Sequence, residues 1–180
     1  MDLGFALSAS SLLHNETFKL MKDTINYIID TYDTQKIHYS VLVYGDTAKI
    51  EINFGETPPS PQQLKTAVEK LRVGTGVPNL AGALEKALKM FEDDNRRPLT
   101  QKVLVIMADK RSGSTEDDLK KASRPLEERD IKVIPVAVGE EAEPDELGNT
   151  TPDKTNVIDA GKEEDPKMVG EMIMDKIRGN

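Results

Sequence analysis

The segment Lys102–Ala108, KVLVIMA, constrains the fold more than any other part of the chain. Its apolar residues follow one another without polar alternation, are rich in β-branched side chains and are bounded by polar turns, which is typical of a strand buried on both faces. Such strands belong to parallel sheets whose two faces are covered by helices. We therefore expect this strand at the centre of an α/β domain.

Strand and helix patterns alternate along the rest of the chain. Apolar or β-rich segments predict further strands at Leu3–Leu7, Ile37–Tyr44, Ala48–Phe54, Ile131–Val138 and Asn156–Ile158. Helical spacing of apolar residues predicts helices at Asn15–Tyr32 with Asn15 as N-cap, around Leu64–Leu71, at Leu80–Phe91, at Glu116–Glu128, and around Met168–Ile177. Gly45-Asp46 is a hairpin signal. The order predicts a doubly wound, mostly parallel sheet with one antiparallel edge strand and helices on both faces.

The length of 180 residues fits one such domain, covering residues 1–180. Because Met1 directly precedes a core strand, we expect the domain to be part of a longer protein. No run of eighteen apolar residues occurs, so we expect no membrane insertion, and the first residues lack the basic region of a signal peptide.

The formal net charge of −8 disfavours nucleic acid and anionic membranes as partners, because both would be repelled. The absence of cysteine excludes disulfides, thiolate catalysis and cysteine metal sites.

Sheets of this type place their sites outside the carboxyl ends of the strands, where three loops matter: SASSLL, GTGVPN and DKRSGS. The first loop lacks both the glycines that would let a phosphate approach the backbone and the lysine of a P-loop. The chain has two imidazoles, His14 at a helix start and His38 within a strand pattern, where structural roles are expected. The sequence therefore predicts no enzyme.

Four segments, in order and spacing, resemble the von Willebrand factor A family over nearly the whole chain: FALSASSLL, LRVGTGVPNLAGALEKAL, KVLVIMADKRSGS and LEERDIKVIPVAVG. The resemblance implies the fold predicted above and a role in adhesion or assembly. In members that keep the family's metal-ion-dependent adhesion site, an aspartate and two serines of the first loop, a threonine of the second and an aspartate of the third hold a divalent cation. A carboxylate of the partner then completes the ligand shell.

This sequence departs from that site in the first loop. There Ser8 stands for the aspartate, Ser10 for the first serine, and Leu12 for the second. Hard cations such as Mg²⁺ need oxygen ligands, and leucine supplies none. Replacing the aspartate also removes half of the site's formal negative charge.

The other two loops depart as well. Pro78 stands for the threonine, and Asp109 keeps the last aspartate but is followed by Lys110, whose ammonium would oppose a cation. We therefore expect a degenerate site with no bound metal and no other cofactor. Ser10 and Asp109 are the residual metal candidates, and Mg²⁺ is the ion that the family would use.

These observations predict a non-enzymatic, metal-independent protein-binding module for adhesion or extracellular-matrix assembly. By family analogy its parent protein is extracellular or at the cell surface, where the sequons at Asn15 and Asn149 would be glycan acceptors. Two alternatives stay open at this point. One is a cytoplasmic scaffold domain of a larger complex, and the other is a regulatory domain that binds a small anion in the crevice.

Overall fold

The computed structural model describes residues 1–8, 15–32, 35–55, 60–92 and 99–179. Ser10, Leu12 and His14 lie outside the described residues, and so does the side chain of Asn15. No helix in the described part of the chain has the length and apolar character needed to cross a membrane.

One six-stranded sheet in the order β3-β2-β1-β4-β5-β6 organises the described residues. Its strands are β1 (Asp2–Ser8), β2 (His38–Tyr44), β3 (Ala48–Ile52), β4 (Lys102–Ala108), β5 (Ile131–Val138) and β6 (Ile158–Ala160). Every neighbouring pair is parallel except β2 with β3, which form the expected hairpin at one edge. The predicted fold class is confirmed, and KVLVIMA is one of the two central strands.

The helices cover both faces of this sheet. They are α1 (Asn15–Thr31), α2 (Pro61–Glu69), α3 (Leu80–Glu92), α4 (Glu116–Glu127), α5 (Pro144–Leu147) and α6 (Pro166–Arg178). Alternate residues of the central strands face opposite layers, so that Val103 packs in one apolar core with α1, α2 and α6. Leu104 packs in a second core with α3 and α4. The absence of polar alternation in β4 follows from this burial on both sides.

Local sequence sets where several helices begin. α2 and α4 begin with capping boxes, in which the hydroxyls of Ser60 and Thr115 accept from the backbone N–H three residues later. Asp165 caps α6 in a similar way by accepting from Lys167 N–H. α1 begins at Asn15, so this residue is helical and the predicted N-cap role is wrong.

Two predicted strand boundaries are also wrong. β3 ends at Ile52, and Phe54 instead packs its ring against Phe91 with centroids 5.1 Å apart. The last strand is Ile158–Ala160 where the sequence suggested Asn156–Ile158. Lys154–Asn156 forms a 3₁₀ turn because the carboxylate of the preceding Asp153 accepts from Thr155 N–H at 2.9 Å.

The two chain ends lie at the same edge of the sheet. β1 begins at the amino edge, where Asp2 N–H donates to Gln101 O at 2.8 Å just before β4. The last turn of α6 lies at the same edge. Its position is marked by Lys132, near the start of β5, which donates through Nζ to Lys176 O. The loops that follow the strands are therefore at the opposite edge from both ends.

We expect Gly4→Val to destabilise the domain by about 1–3 kcal/mol, the usual cost of overpacking a core. A Cβ at Gly4 would lie 2.6 Å from Met90 Cε and 3.0 Å from Phe91 Cζ, so the ends of these two α3 side chains would have to shift to make room for a valine. Urea denaturation measures the loss. Gly148→Ala is the matched control, since its Cβ would meet Lys154 side-chain atoms only at ordinary contact distance, 3.8 Å. Equal stability of Gly4→Val and the parent chain would contradict this account of the β1–α3 packing.

Candidate functional site

Strand register brings three polar side chains together at the carboxyl edge of the sheet. Ser8, the last residue of β1, pairs with Tyr44, the last residue of β2. On its other side β1 pairs Leu7 with Met107, so Asp109 directly follows β4 at nearly the same level. All three side chains are buried, with exposed fractions of 2% for Ser8, 1% for Tyr44 and 9% for Asp109.

These side chains form a buried polar cluster. Ser8 Oγ donates to Asp109 Oδ1 at 2.9 Å. Tyr44 lies beside Ser8 at the end of the neighbouring strand, and its phenol interacts electrostatically with Asp109. Burial raises the pKa of Tyr44 far above its usual range, and the charge of Asp109 raises it further. Tyr44 therefore stays neutral, and the cluster holds a single carboxylate, that of Asp109.

The loop that follows β4 is held from a second side by Glu146 of α5. Ser112 donates its backbone N–H to Glu146 Oε2 at 3.0 Å and its hydroxyl to Oε1 at 2.6 Å. Glu146 is itself buried. A more exposed ion pair, Arg111 Nη1 to Glu143 Oε2 at 3.2 Å, joins the same two segments. Hydrogen bonds to a charged acceptor are the stronger kind, so Glu146 fixes the position of this loop.

The loop before α3 is bonded directly to the loop after β4. Gly113 N–H donates to Pro78 O at 2.9 Å, and Ala81 N–H, in the first turn of α3, donates to Ser114 Oγ at 3.1 Å. The next N–H of that turn, from Gly82, is satisfied by Asn79 Oδ1 at 2.9 Å. These N–H groups are thus occupied by the protein itself.

The turn after β2 joins the same assembly. Asn79 N–H donates to Gly45 O at 2.7 Å, and Asp46 N–H donates to Thr75 O at 2.8 Å. A Cβ at Gly45 would lie 2.2 Å from Thr75 O, which explains why this position is glycine. The loops after β2 and β4 and before α3 therefore form one connected surface, called here the loop face.

The described residues that align with the family's metal ligands are a poor match for a hard cation. Ser8 places a neutral hydroxyl where the family has a carboxylate, and this hydroxyl donates to Asp109 Oδ1. Pro78 is buried, has no side-chain oxygen, and has its carbonyl bonded to Gly113. Lys110 is half-buried beside Asp109. Among the described residues, no three His, Cys, Asp or Glu side chains are grouped so that they could hold a metal ion.

A groove of about 920 Å³ lies beside Asp109, between the start of α1 and the loops after β5 and β6. Seven acidic side chains and two lysines line it: Glu16, Asp23, Asp109, Glu140, Glu141, Glu163, Glu164, Lys19 and Lys162. This excess of negative charge repels phosphates and carboxylates. The groove therefore disfavours the alternative in which a small anion binds in the crevice.

The predictions for histidine and for the sequons have different outcomes. His38 Nδ1 lies 3.2 Å from Gly55 O at the amino end of β2, in agreement with a structural role. Asn149 is half-buried in a 3₁₀ turn, and Thr150 and Thr151 of its sequon are buried. Glycosylation of Asn15 or Asn149 stays a prediction that mass spectrometry of protein from its native source tests.

Sequence reasoning missed two residues of this site. The sequence predicts Tyr44 only as the last residue of a strand. The end of that strand lies next to the first loop, and this is the signal that could have indicated that Tyr44 belongs to the site. Glu146 lies in a segment rich in Glu, Pro and Gly that predicts a loop, and no pattern signals that its carboxylate turns back onto Ser112.

The model of the von Willebrand factor type A domain matches residues 2–169. The chain belongs to this family. It is 30% identical over 148 residues to the human collagen alpha-1(XXI) chain, covering 81% of this chain and 15% of that one. It is 28% identical over 149 residues to mouse vitrin, covering 81% of this chain and 22% of vitrin. The domain thus spans less than a quarter of these relatives.

Solved structures support the same fold. Proximal thread matrix protein 1 of the mussel byssus superimposes with a TM-score of 0.84 at 16% identity, over 97% of this domain and 47% of that chain. At this identity the likeness concerns the fold alone.

We expect Glu146→Gln to destabilise the domain by about 1–2 kcal/mol, because charge-assisted bonds from Ser112 become neutral ones. Glu143→Gln is the matched control from the same segment, where an exposed ion pair contributes at most about 1 kcal/mol. Thermal denaturation of both variants measures the difference. A control variant that loses more stability than Glu146→Gln would contradict the role given to Glu146.

Proposed function

We propose that this von Willebrand factor type A domain is a non-catalytic protein-binding module of an extracellular-matrix or cell-surface protein. The observation that carries the proposal is its likeness in sequence to a domain-length part of a collagen chain. The likeness to collagen and vitrin supports an extracellular location over a cytoplasmic scaffold.

The loop face suits a partner that binds a fixed surface. Its loops are joined by hydrogen bonds between named backbone and side-chain groups, so little conformational freedom is lost when a partner docks. Val77 projects from it with 64% of its surface exposed, beside the buried Pro78. An exposed apolar side chain on a rigid polar surface is the kind of contact that partners cover.

The chemistry of the site argues against catalysis. The hydroxyl of Ser8, at the end of β1, is buried and donates to a carboxylate, with no imidazole beside it among the described residues. The phenol of Tyr44 stays neutral because burial raises its pKa. Neither group has the activation that a nucleophile needs.

We expect Val77→Lys to weaken binding to a matrix partner about tenfold or more, because a charged side chain would replace the apolar contact on the loop face. Surface plasmon resonance against a panel of purified extracellular-matrix proteins, with the domain immobilised through its carboxyl end, provides the measurement. Leu99→Lys is the matched control: Leu99 is 99% exposed and lies before β4, at the edge opposite the loop face.

Equal loss of binding in both variants would show that the substitution acts through charge alone and would contradict the assignment of the loop face. Failure of the parent domain to bind any protein of the panel would contradict the proposed function itself.

A further inference from the structure

Three loops of the family's adhesion site are normally joined by the cation that they share. In this chain the corresponding segments are joined by direct hydrogen bonds. The first and third are joined by Ser8 Oγ to Asp109 Oδ1 at 2.9 Å, and the second and third by Gly113 N–H to Pro78 O at 2.9 Å. Each bond connects residues far apart in sequence. The two bonds therefore hold the loops together, as a shared cation would.

We infer that the Ser8–Asp109 and Pro78–Gly113 hydrogen bonds replace the divalent cation, so that the loop face is assembled without metal. Metal-free assembly of the surface does not depend on the proposed function. The consequence of this assembly for partner recognition rests on the proposed function.

Electrostatics explain why the replacement is stable. Two aspartates at the ends of β1 and β4 would repel each other at this distance, and a bound cation would offset the repulsion. Ser8 is uncharged, so only the carboxylate of Asp109 remains. The Ser8 hydroxyl donates a hydrogen bond to that carboxylate. Asp109 is therefore held by a charge-assisted hydrogen bond and needs no cation to lie at this position.

The replacement changes which partner chemistry the site accepts. A cation lets a negatively charged surface bind a carboxylate of the partner, as the family resemblance implies for members that keep the site. Without it, a carboxylate that approaches Asp109 meets the negative charge of Asp109 and of the acidic groove beside it. Partner binding by this domain is accordingly resistant to chelators and does not use a carboxylate at this position.

The first experiment compares the parent domain in EDTA and in millimolar Mg²⁺, Ca²⁺ or Mn²⁺. We expect the melting temperature to be the same within about 1 °C, since a ligand stabilises the native state only in proportion to its occupancy. Hydrogen exchange of the Ser112 and Gly113 amides, which donate to Glu146 and Pro78, should be equally slow in all conditions. A rise of several degrees with a cation, or loop amides protected only in its presence, would overturn the inference.

The second experiment removes the hydrogen bonds in EDTA. Ser8→Ala leaves the buried Asp109 without this donor, so the melting temperature should fall by about 2–8 °C and the Ser112 and Gly113 amides should exchange faster. Tyr44→Phe, which removes one hydroxyl, should have a smaller effect in the same direction.

Ser40→Ala is the matched control for Ser8→Ala. Ser40 is equally buried, lies in the adjacent strand, and donates to Ile52 O at 2.6 Å away from the loop face. It should lower the melting temperature without altering exchange of the loop amides. If Ser8→Ala leaves those amides as slow as Ser40→Ala does, the bond does not hold the loops and the inference is wrong.

The third experiment rebuilds the metal site with Ser8→Asp, Leu12→Ser and Pro78→Thr, and with Lys110→Gly as a fourth change. Calorimetry with Mg²⁺ and Mn²⁺ should show millimolar or tighter binding to the combined variants and none to the parent, because hard-cation affinity depends on several ligands placed at once. Folded variants that bind no cation would show that the loops do not correspond to the family's metal site, which would overturn the inference. The partner assay is independent of all three experiments, so a failure of the proposed function is recognised separately.

Discussion

The other features of the domain depend on the parallel pairing of β1 with both of its neighbours. β1 lies between β2 and β4, and its side chains are buried from Asp2 to Ser8. Apolar burial on both faces fixes its register, because a slip of one residue would exchange the two cores. The same register sets Ser8 beside Tyr44 and next to Asp109, so the packing of the apolar strands also determines the geometry of the polar site.

Burial constrains how the polar side chains of this site can be arranged. A hydroxyl or carboxylate without partners in such a place would cost the domain stability, so the groups have to satisfy one another. Ser8 does so by donating to Asp109 Oδ1. Above it, the described loop residues are joined by the hydrogen bonds of Gly113 with Pro78 and of Ser112 with Glu146.

The sequence predicted those parts of the fold that follow from uninterrupted apolar segments. Lys102–Ala108 and the hairpin at Gly45-Asp46 lie where expected, because burial and turn geometry each leave a local pattern. The predicted last strand was misplaced, since three residues are too few to show a period and the cap of Asp153 is a local side-chain effect. Family resemblance identified Ser8, Pro78 and Asp109, whereas the contacts of Tyr44 and Glu146 depend on long-range geometry that leaves no pattern in sequence.

The position of the chain ends has a consequence for the domain as part of a larger molecule. Both ends lie at the amino edge of the sheet, which the contacts of Asp2 with Gln101 and of Lys132 with Lys176 define. Any polypeptide attached to either end therefore leaves from the side away from the loop face.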